Sequence, residues 1–326
     1  MSIFAPVRGL LAVVAAVVLA TVAAPAAAQA AVGWRPDRPV TLIVPYSPGG
    51  GTDALARHVA KELARLWGQS VVVENTPGAD GLIGTRRAID ARPDGYTLLV
   101  QLPSLTLNRH LPGFKGTDPV AQLVPISVFA TLSGVLVTNS TLPGTTLPEV
   151  VRHCRTSTPP CSFGTTENIA RLQGQMLGVD LPSMVVVNYK GGGQLITDLV
   201  GNSVNMALMG YTAVLPYMQS GKLKVVMTAG RQRSPVLPDV PTAAESGYPQ
   251  LQAETWYGLF APIGTPQPVV DAIAASVRAA VKEETYLKSI AVLGAAPVGN
   301  TPAEFAALVR EDGQRFGELV RQFPIQ

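Results

Sequence analysis

The chain has 326 residues, with 25 Lys and Arg against 22 Asp and Glu, which gives a formal net charge of +3 at pH 7. The basic residues are spread along the chain without a block. This pattern excludes a protein that binds nucleic acid or an anionic membrane through a basic patch. The length is sufficient for two domains of the usual size, ~100–200 residues each.

The N-terminus has the pattern of a secretory signal peptide. Residues 1–8 carry one positive charge, and an uncharged apolar run follows at residues 9–24. Residues 28–30, Ala-Gln-Ala, satisfy the small-residue rule for cleavage. The alternative is a membrane anchor, but the apolar run is short for a membrane span. We therefore expect residues 1–30 to be removed, leaving a soluble mature chain in the periplasm.

Predicted strands and helices alternate along the first part of the mature chain. We predict strands at residues 40–44, 70–74 and 96–100, helices at 52–66 and 82–91, and extended segments at 126–130 and 134–138. The next part repeats the alternation. There we predict helices at residues 147–154, 168–177, 195–200 and 214–219, and strands at 162, 184–187, 205–209 and 223–228.

The last part holds a predicted strand at residues 256–261 and helices at 269–282 and 303–321. Thr301 and Glu304 form a capping box at the start of the last helix. Together these elements predict an α/β fold with mostly parallel, doubly wound sheets. Such sheets bind ligands at the carboxyl ends of their strands.

Two glycine-rich loops, residues 44–53 and 187–194, each follow a predicted strand and precede a predicted helix. Glycines let the backbone come close to a ligand, and the unpaired N–H groups and dipole of a helix N-terminus favour an anion. A single loop of this kind could be only a tight turn. Two of them suggest two lobes that close on one acidic ligand from opposite sides.

The two cysteines, Cys154 and Cys161, lie between a predicted helix end and the next strand. In an oxidising compartment this spacing permits a disulfide, and two unpaired buried thiols are the alternative. The three histidines (His58, His110 and His153) are scattered along the chain and make no metal pattern. We predict no metal and no cofactor.

Ordered motifs cover nearly the whole mature chain from Pro39 onward. They are Tyr46-Ser47-Pro48-Gly49-Gly50-Gly51-Thr52-Asp53, residues 73–84 (Val-Glu-Asn-Thr-Pro-Gly-Ala-Asp-Gly-Leu-Ile-Gly), 93–99 (Pro-Asp-Gly-Tyr-Thr-Leu-Leu), Tyr189-Lys190-Gly191, Thr197-Asp198-Leu199, 233–242, 256–266 and 301–305. In sequence and spacing they resemble the tripartite tricarboxylate transporter substrate-binding family, also called Bug receptors.

The resemblance implies a type II-like periplasmic-binding-protein fold with two lobes and a hinge of crossing strands. Lobe 1 would contain residues 31–135 and 256–326, and lobe 2 would contain residues 136–255. In that family the ligand carboxylate is held mainly by backbone N–H groups of the two loops and by bridging waters. The resemblance therefore implies a small organic acid as ligand, with no arginine clamp.

The predicted ligand-binding residues lie in the two glycine loops, in the loop after the strand at residue 162, and on the elements that follow. They are Tyr46, Ser47, Gly49, Gly50, Gly51, Thr52, Asp53, Gly164, Thr165, Thr166, Tyr189, Lys190, Gly191, Asp198 and Met209. Structural alternatives stay open for several of them. The aspartates could brace loops, the tyrosines could be core aromatics, the threonines could be helix caps, and the lysine could be solvated.

The chain departs from the family pattern at residues 163–168 and at Arg171, which stands near a position that is usually histidine. Asn205 replaces a common aspartate, and Gln194 and Leu195 follow an unusual triple glycine. If Glu167 faced the pocket, it would repel a second ligand carboxylate and favour a cationic or hydrogen-bonding group. The alternatives are that Arg171 neutralises it as an i, i+4 pair, or that it is a solvated first-turn residue.

An enzyme receives little support from the sequence. There is no Gly-x-Ser-x-Gly elbow, no Gly-Lys-Ser/Thr after either triple glycine, and no dinucleotide spacing among Gly78, Gly81 and Gly84. We predict a monomeric, exported receptor that is not an enzyme and delivers a small carboxylate to the membrane subunits of a tripartite transporter. A receptor that presents its ligand to a signalling partner is the alternative, and a secreted hydrolase or isomerase of small carboxylates is a further one.

Overall fold

The structure, a computed structural model, describes residues 33–112 and 114–325. This part of the chain contains ten strands and ten α-helices. From Pro36 onward the chain forms one compact unit. The predicted signal peptide, residues 1–30, lies outside the described residues. Among the helices that are described, none is both long and apolar enough to cross a bilayer.

The strands are β1 Val40–Val44, β2 Val71–Asn75, β3 Thr97–Gln101, β4 Leu123–Asn139, β5 Ser162–Thr165, β6 Val185–Asn188, β7 Met206–Gly210, β8 Leu223–Thr228, β9 Glu254–Pro262 and β10 Ala295–Pro297. The helices are α1 Gly51–Trp67, α2 Leu82–Ile89, α3 Ser104–Asn108, α4 Leu147–Cys154, α5 Asn168–Gly178, α6 Gly192–Val200, α7 Tyr211–Gln219, α8 Gln267–Ala280, α9 Glu284–Ala291 and α10 Pro302–Gln322. Short 3₁₀ turns occupy Ala79–Gly81, Pro119–Gln122 and Pro249–Leu251.

The strands form one mixed sheet in the order β2-β1-β3-β9-β4-β7-β5-β6, with β8 and β10 also paired to β4. Two groups of strands are parallel, β2-β1-β3 and β7-β5-β6, while β4 pairs antiparallel with all its neighbours. The sequence predicted the α/β alternation and mostly parallel sheets, whereas the structure has one mixed sheet in which two parallel groups are joined by antiparallel pairs. The sequence did not predict how many antiparallel pairs join them.

Strand β4 is the element that connects the two parallel groups. Its first part, through Ser133, pairs with β9, and its second part, from Gly134, pairs with β7. The two extended segments predicted at 126–130 and 134–138 are therefore one strand. The Thr-Leu-Ser-Gly stretch between them does not break the ladder, because each of its residues has a partner on β9 or β7.

Cys154 and Cys161 are joined by a disulfide, with 5.5 Å between their Cα atoms. Both are buried in the same apolar cluster as Phe163 and Met176. The bond ties the end of α4 to the start of β5, and neither cysteine lines the cavity described below. It therefore acts on the stability of this cluster.

Replacing both cysteines with alanine is expected to lower the free energy of unfolding by about 2–3 kcal/mol, since the bond closes a short loop in the unfolded chain. Denaturant melts of the oxidised wild type and of the double variant would measure this. Ligand affinity should be unchanged because the cavity is elsewhere. A variant that melts like the oxidised wild type would contradict the expectation.

Candidate functional site

A cavity of about 310 Å³ lies where the middle of β4 meets the start of β9. Leu132 and Gly134 of β4 and Thr255 and Tyr257 of β9 form one of its walls. The remaining lining residues come from the ends of β3 and β7, from the segment before β9 and from four helix starts: Gly51, Thr52, Leu102, Thr166, Glu167, Ile169, Ala170, Gln173, Gly192, Leu208, Met209, Gly210, Thr212, Ala213 and Ala253. Elements that are far apart in the sequence therefore meet at this cavity.

A larger hollow, about 550 Å³, is lined by Arg231, Trp256, Asp312 and Arg315 among others. Its central carboxylate is already bound within the protein. Asp312 accepts hydrogen bonds from Trp256 Nε1 at 2.6 Å and from Arg315 Nη2 at 3.1 Å. Asp312 is thus bound within the protein, and we take the smaller cavity as the candidate site because of the helix ends that border it.

Four helix N-termini, those of α1, α5, α6 and α7, border the smaller cavity. Their N-cap residues are Gly50, Glu167, Gly191 and Gly210, and none of them caps its helix with a side-chain hydrogen bond. The first N–H groups of a helix have no partner within it, and the helix dipole adds partial positive charge there. The cavity is therefore suited to an anion, as the glycine loops indicated.

The loop before α1 is held in shape by Asp53. Its Oδ2 accepts hydrogen bonds from the Gly49 N–H at 2.9 Å and from Arg57 Nε at 3.0 Å, and its Oδ1 accepts from Asn75 Nδ2 at 3.0 Å. The side chain of Asp53 is 4% exposed and does not line the cavity. Burial alone would raise the pKa of Asp53, but the hydrogen bonds from Arg57, Gly49 and Asn75 outweigh it and lower the pKa. Asp53 therefore shapes the loop that presents Gly51 and Thr52.

Replacing Asp53 with asparagine is expected to lower the free energy of unfolding at pH 7 by about 1–3 kcal/mol, because it weakens charged hydrogen bonds in a buried place. The folded-state pKa of Asp53 lies below the unfolded value. Its contribution is therefore complete above the unfolded pKa of about 3.9 and disappears as the pH falls through the folded pKa.

Denaturant melts of the wild type and Asp53→Asn between pH 7 and pH 2 would follow this loss. Asp94→Asn is a matched control, because Asp94 pairs with the exposed Arg38 and should contribute less than ~1 kcal/mol. A wild-type advantage that persists at pH 2 would contradict the assignment.

The second glycine loop shows a similar division between bracing and lining residues. The Tyr189 hydroxyl donates to Asp198 Oδ2 at 2.8 Å, and burial together with this bond raises the pKa of Tyr189 to about 12. Neither residue lines the cavity, and the Lys190 side chain is exposed. Gly191 is the N-cap of α6, and its neighbour Gly192 lines the cavity.

Other predicted residues also lie behind the cavity wall. The Tyr46 hydroxyl lies 2.7 Å from Ser104 Oγ and donates to Gln101 Oε1 at 3.0 Å. Thr165 is buried, and its hydroxyl bonds to the backbone of Glu167. A Cβ on Gly164 would overlap the Leu195 side chain, so this glycine serves packing.

Four of the predicted residues line the cavity, namely Gly51, Thr52, Thr166 and Met209. The others do not line it: Tyr46, Ser47, Gly49, Gly50, Asp53, Gly164, Thr165, Tyr189, Lys190, Gly191 and Asp198. Most of these belong to the loops that present the lining residues. The structure thus brings both glycine loops to one cavity and separates the residues that shape it from those that face it.

Among the lining residues that were not predicted as site residues, Gln173 and Tyr257 each have a side-chain oxygen without a hydrogen-bond partner in the described chain. Gln173 is 5% exposed, and its Nε2 donates to the Leu251 carbonyl at 2.9 Å, while its Oε1 has no hydrogen-bond partner in the described part of the chain. Tyr257 is 6% exposed, and its hydroxyl likewise makes no hydrogen bond to described residues. Strand alternation places Tyr257 on the face of β9 opposite to Trp256, which packs on Phe260 and Phe305.

Glu167 occupies the N-cap of α5 and lines the cavity. Within the described chain it forms no ion pair, so the pairing with Arg171 is not seen. Glu167 is an exposed residue, as the solvated alternative expected, although protein atoms lie around its carboxylate on the cavity side. This desolvation, with the nearby charge of Asp80, raises the pKa of Glu167 to about 7. Asp80 in turn accepts a hydrogen bond from Asn168 Nδ2 at 2.9 Å.

Comparisons with known proteins identify the family of this chain. The family described as "Tripartite tricarboxylate transporter family receptor" matches residues 55–325. Protein BugT of Bordetella pertussis is 32% identical over 292 residues, covering 88% of this chain and 90% of BugT.

Three solved structures superpose on most of the chain. They are the periplasmic binding protein BugD (TM-score 0.78, 30% identity, 89% of this chain and 99% of that one), a Rhodopseudomonas palustris protein with adipate (0.80, 27%, 88% and 97%) and MatC from the same organism with bound malate (0.75, 30%, 87% and 99%). The predicted family and the predicted α/β periplasmic-binding-protein fold are confirmed. The chain belongs to the receptor family of tripartite tricarboxylate transporters.

Proposed function

We propose that this receptor captures a small carboxylate in the 310 Å³ cavity and delivers it to transporter subunits in the membrane. The observation that carries the proposal is the meeting of four helix N-termini, none with a side-chain cap, around one cavity. Support also comes from two relatives of the same fold, one solved with adipate and one with malate. Export to the periplasm is part of this proposal and agrees with the signal-like pattern of residues 1–30.

We further propose that the predicted lobes, residues 31–135 with 256–326 and residues 136–255, close on the ligand. Strands β4 and β9 would form the hinge, since β4 changes partners between Ser133 and Gly134. Two hydrogen bonds from Asn168 Nδ2, to Asp80 Oδ2 at 2.9 Å and to Asn108 Oδ1 at 3.2 Å, join the two predicted lobes beside the cavity. These contacts support a conformation in which the lobes are closed.

Binding without turnover is part of this proposal, since the family that matches the chain is described as a transporter receptor. Two of the residues in the departing segment 163–168, Thr166 and Glu167, line the cavity, so we infer that this departure concerns which acid is bound.

A thermal-shift screen of dicarboxylates, tricarboxylates, aromatic acids and acidic amino acids tests the proposal. A ligand present at a hundredfold excess over its dissociation constant should stabilise the protein by ~2.7 kcal/mol. Mass spectrometry of the ligand after incubation should show it unchanged. The proposal fails if neutral sugars or peptides raise the melting temperature and every acid leaves it unaltered.

A further inference from the structure

The cavity proposed above as a carboxylate site is electrically asymmetric. The helix ends at α1, α6 and α7 present Gly51, Gly192 and Gly210 to it, with no acidic side chain among the lining residues of those three ends. The fourth end, at α5, has Glu167 as its N-cap residue, and the Glu167 carboxylate makes no capping hydrogen bond to the helix. A ligand anion is therefore favoured at the first three ends and repelled at the fourth.

Asp80 adds to the negative charge near Glu167. It belongs to the 3₁₀ turn Ala79–Gly81 and is held toward α5 by the hydrogen bond from Asn168, the residue after Glu167. No lysine, arginine or histidine is among the lining residues. The charge at this end of the cavity is thus not balanced by a basic side chain of the cavity wall.

Gln173 gives an independent indication at the same wall, one helical turn and a half beyond Glu167. Its amide nitrogen is bound to the Leu251 carbonyl, which fixes the amide and leaves Oε1 as an acceptor without a partner in the described chain. A buried acceptor left unpaired is costly, so this position favours a ligand that donates a hydrogen bond. The unpaired Tyr257 hydroxyl, on β9, also faces this cavity.

We propose that the ligand is a small zwitterion whose carboxylate lies at the α1, α6 and α7 ends and whose protonated amine lies toward Glu167 and Gln173. An ammonium group would balance the charge of Glu167 and donate to the free Oε1 of Gln173. The proposal rests on the proposed carboxylate-binding function and specifies the second end of the ligand. A dicarboxylate would place its second charge against Glu167.

The ionisation of Glu167 gives the two ligand classes opposite pH dependences. Because the pKa of Glu167 is raised to about 7, its ionised fraction increases between pH 6 and pH 8. Of the other titratable groups around it, Asp80 also has a raised pKa, and burial raises the pKa values of Tyr46 and Tyr257 further above 10, so both tyrosines stay neutral in this range. Affinity for an amine should therefore increase from pH 6 to pH 8, and affinity for a dicarboxylate should decrease.

Isothermal titration calorimetry with matched probes tests the proposal. The probes are unbranched amino acids with a terminal amine and three to six carbons, the dicarboxylates of equal length, and the corresponding monocarboxylates, each at pH 6 and pH 8. At pH 8 the best amino acid should bind at least about tenfold more tightly than its matched dicarboxylate, a difference of about 1.4 kcal/mol. Glu167→Gln should remove this preference. The control Glu318→Gln removes an exposed charge on α10, away from the cavity, and should leave the preference unchanged.

Proton release on the wild-type protein provides a second readout that needs no variant. An amine that binds beside Glu167 lowers its pKa, so at pH 7 binding should release protons, seen as a dependence of the measured heat on the buffer ionisation enthalpy. Dicarboxylates that bind more tightly than amino acids at both pH values, or amine binding without proton release, would overturn the zwitterion and leave the carboxylate receptor intact. If no probe with a carboxylate binds, the proposed function itself fails.

Discussion

Replacing Gly51 with proline is expected to weaken carboxylate binding by roughly tenfold to a hundredfold while leaving the fold unchanged. Gly51 is the first residue of α1 and lines the cavity, and its N–H points out of the helix end. Proline removes this donor, and a hydrogen bond to a charged group contributes about 1.5–3 kcal/mol. The helix should tolerate the change, because proline suits the first helical position and Gly50 already has the extended conformation that a residue before proline requires (φ −78°, ψ 170°).

Gly51→Ala is the matched control for this variant. It keeps the N–H group, and its added Cβ would meet nothing within 4 Å. Both variants should melt like the wild type without ligand, and only the proline variant should lose affinity by calorimetry. Equal affinities for Gly51→Pro and Gly51→Ala would show that the α1 end does not bind the carboxylate.

Elements with local signals could be predicted from the sequence, and α4 is an example. Its amphipathic pattern predicted the helix at residues 147–154 that the structure shows. Helix α3 was missed because Ser-Leu-Thr-Leu-Asn alternates polar and apolar residues, which is the pattern of a strand. All five of its residues are buried, so tertiary packing determines its conformation. Helix α9 and strand β10 were also missed.

The residues of the candidate site likewise include some that local sequence signals predict and others that only tertiary packing determines. The glycine loops identified the α1 and α6 ends because an uncapped helix N-terminus is encoded locally by glycines after a strand. Gln173 and Tyr257 depend on how distant elements pack. Alternation along β9 places Trp256 and Tyr257 on opposite faces, but only the packing of α10 against Trp256 determines which face is the core. The role of Glu167 also depends on tertiary packing, because the position of α5 decides whether Glu167 lies at the cavity or only at the surface.

The support of β9 by α10 suggests that Phe305 has a large effect on stability. Phe305 is fully buried, with ring centroids 5.1 Å from Trp256 and 4.8 Å from Phe260. Phe305→Ala is expected to lower the free energy of unfolding by about 3–5 kcal/mol, the usual loss for a buried aromatic ring that leaves a cavity. Denaturant melts would measure it. Ligand binding should also weaken, because Tyr257 of the cavity wall lies on β9 between Trp256 and Gly258.

Gly258 provides the complementary test of this contact. A Cβ on Gly258 would overlap the Phe305 ring, so Gly258→Ala should destabilise the protein by about 1–3 kcal/mol through overpacking. Phe305→Leu removes part of the ring and leaves space at that point. Since the two residues are in contact, their effects should not add, and Gly258→Ala with Phe305→Leu should be more stable than the sum of the single losses predicts. Strictly additive losses in the four-variant cycle would show that α10 does not press on β9 at Gly258, and β9 would then owe its position to its pairing with β3 and β4.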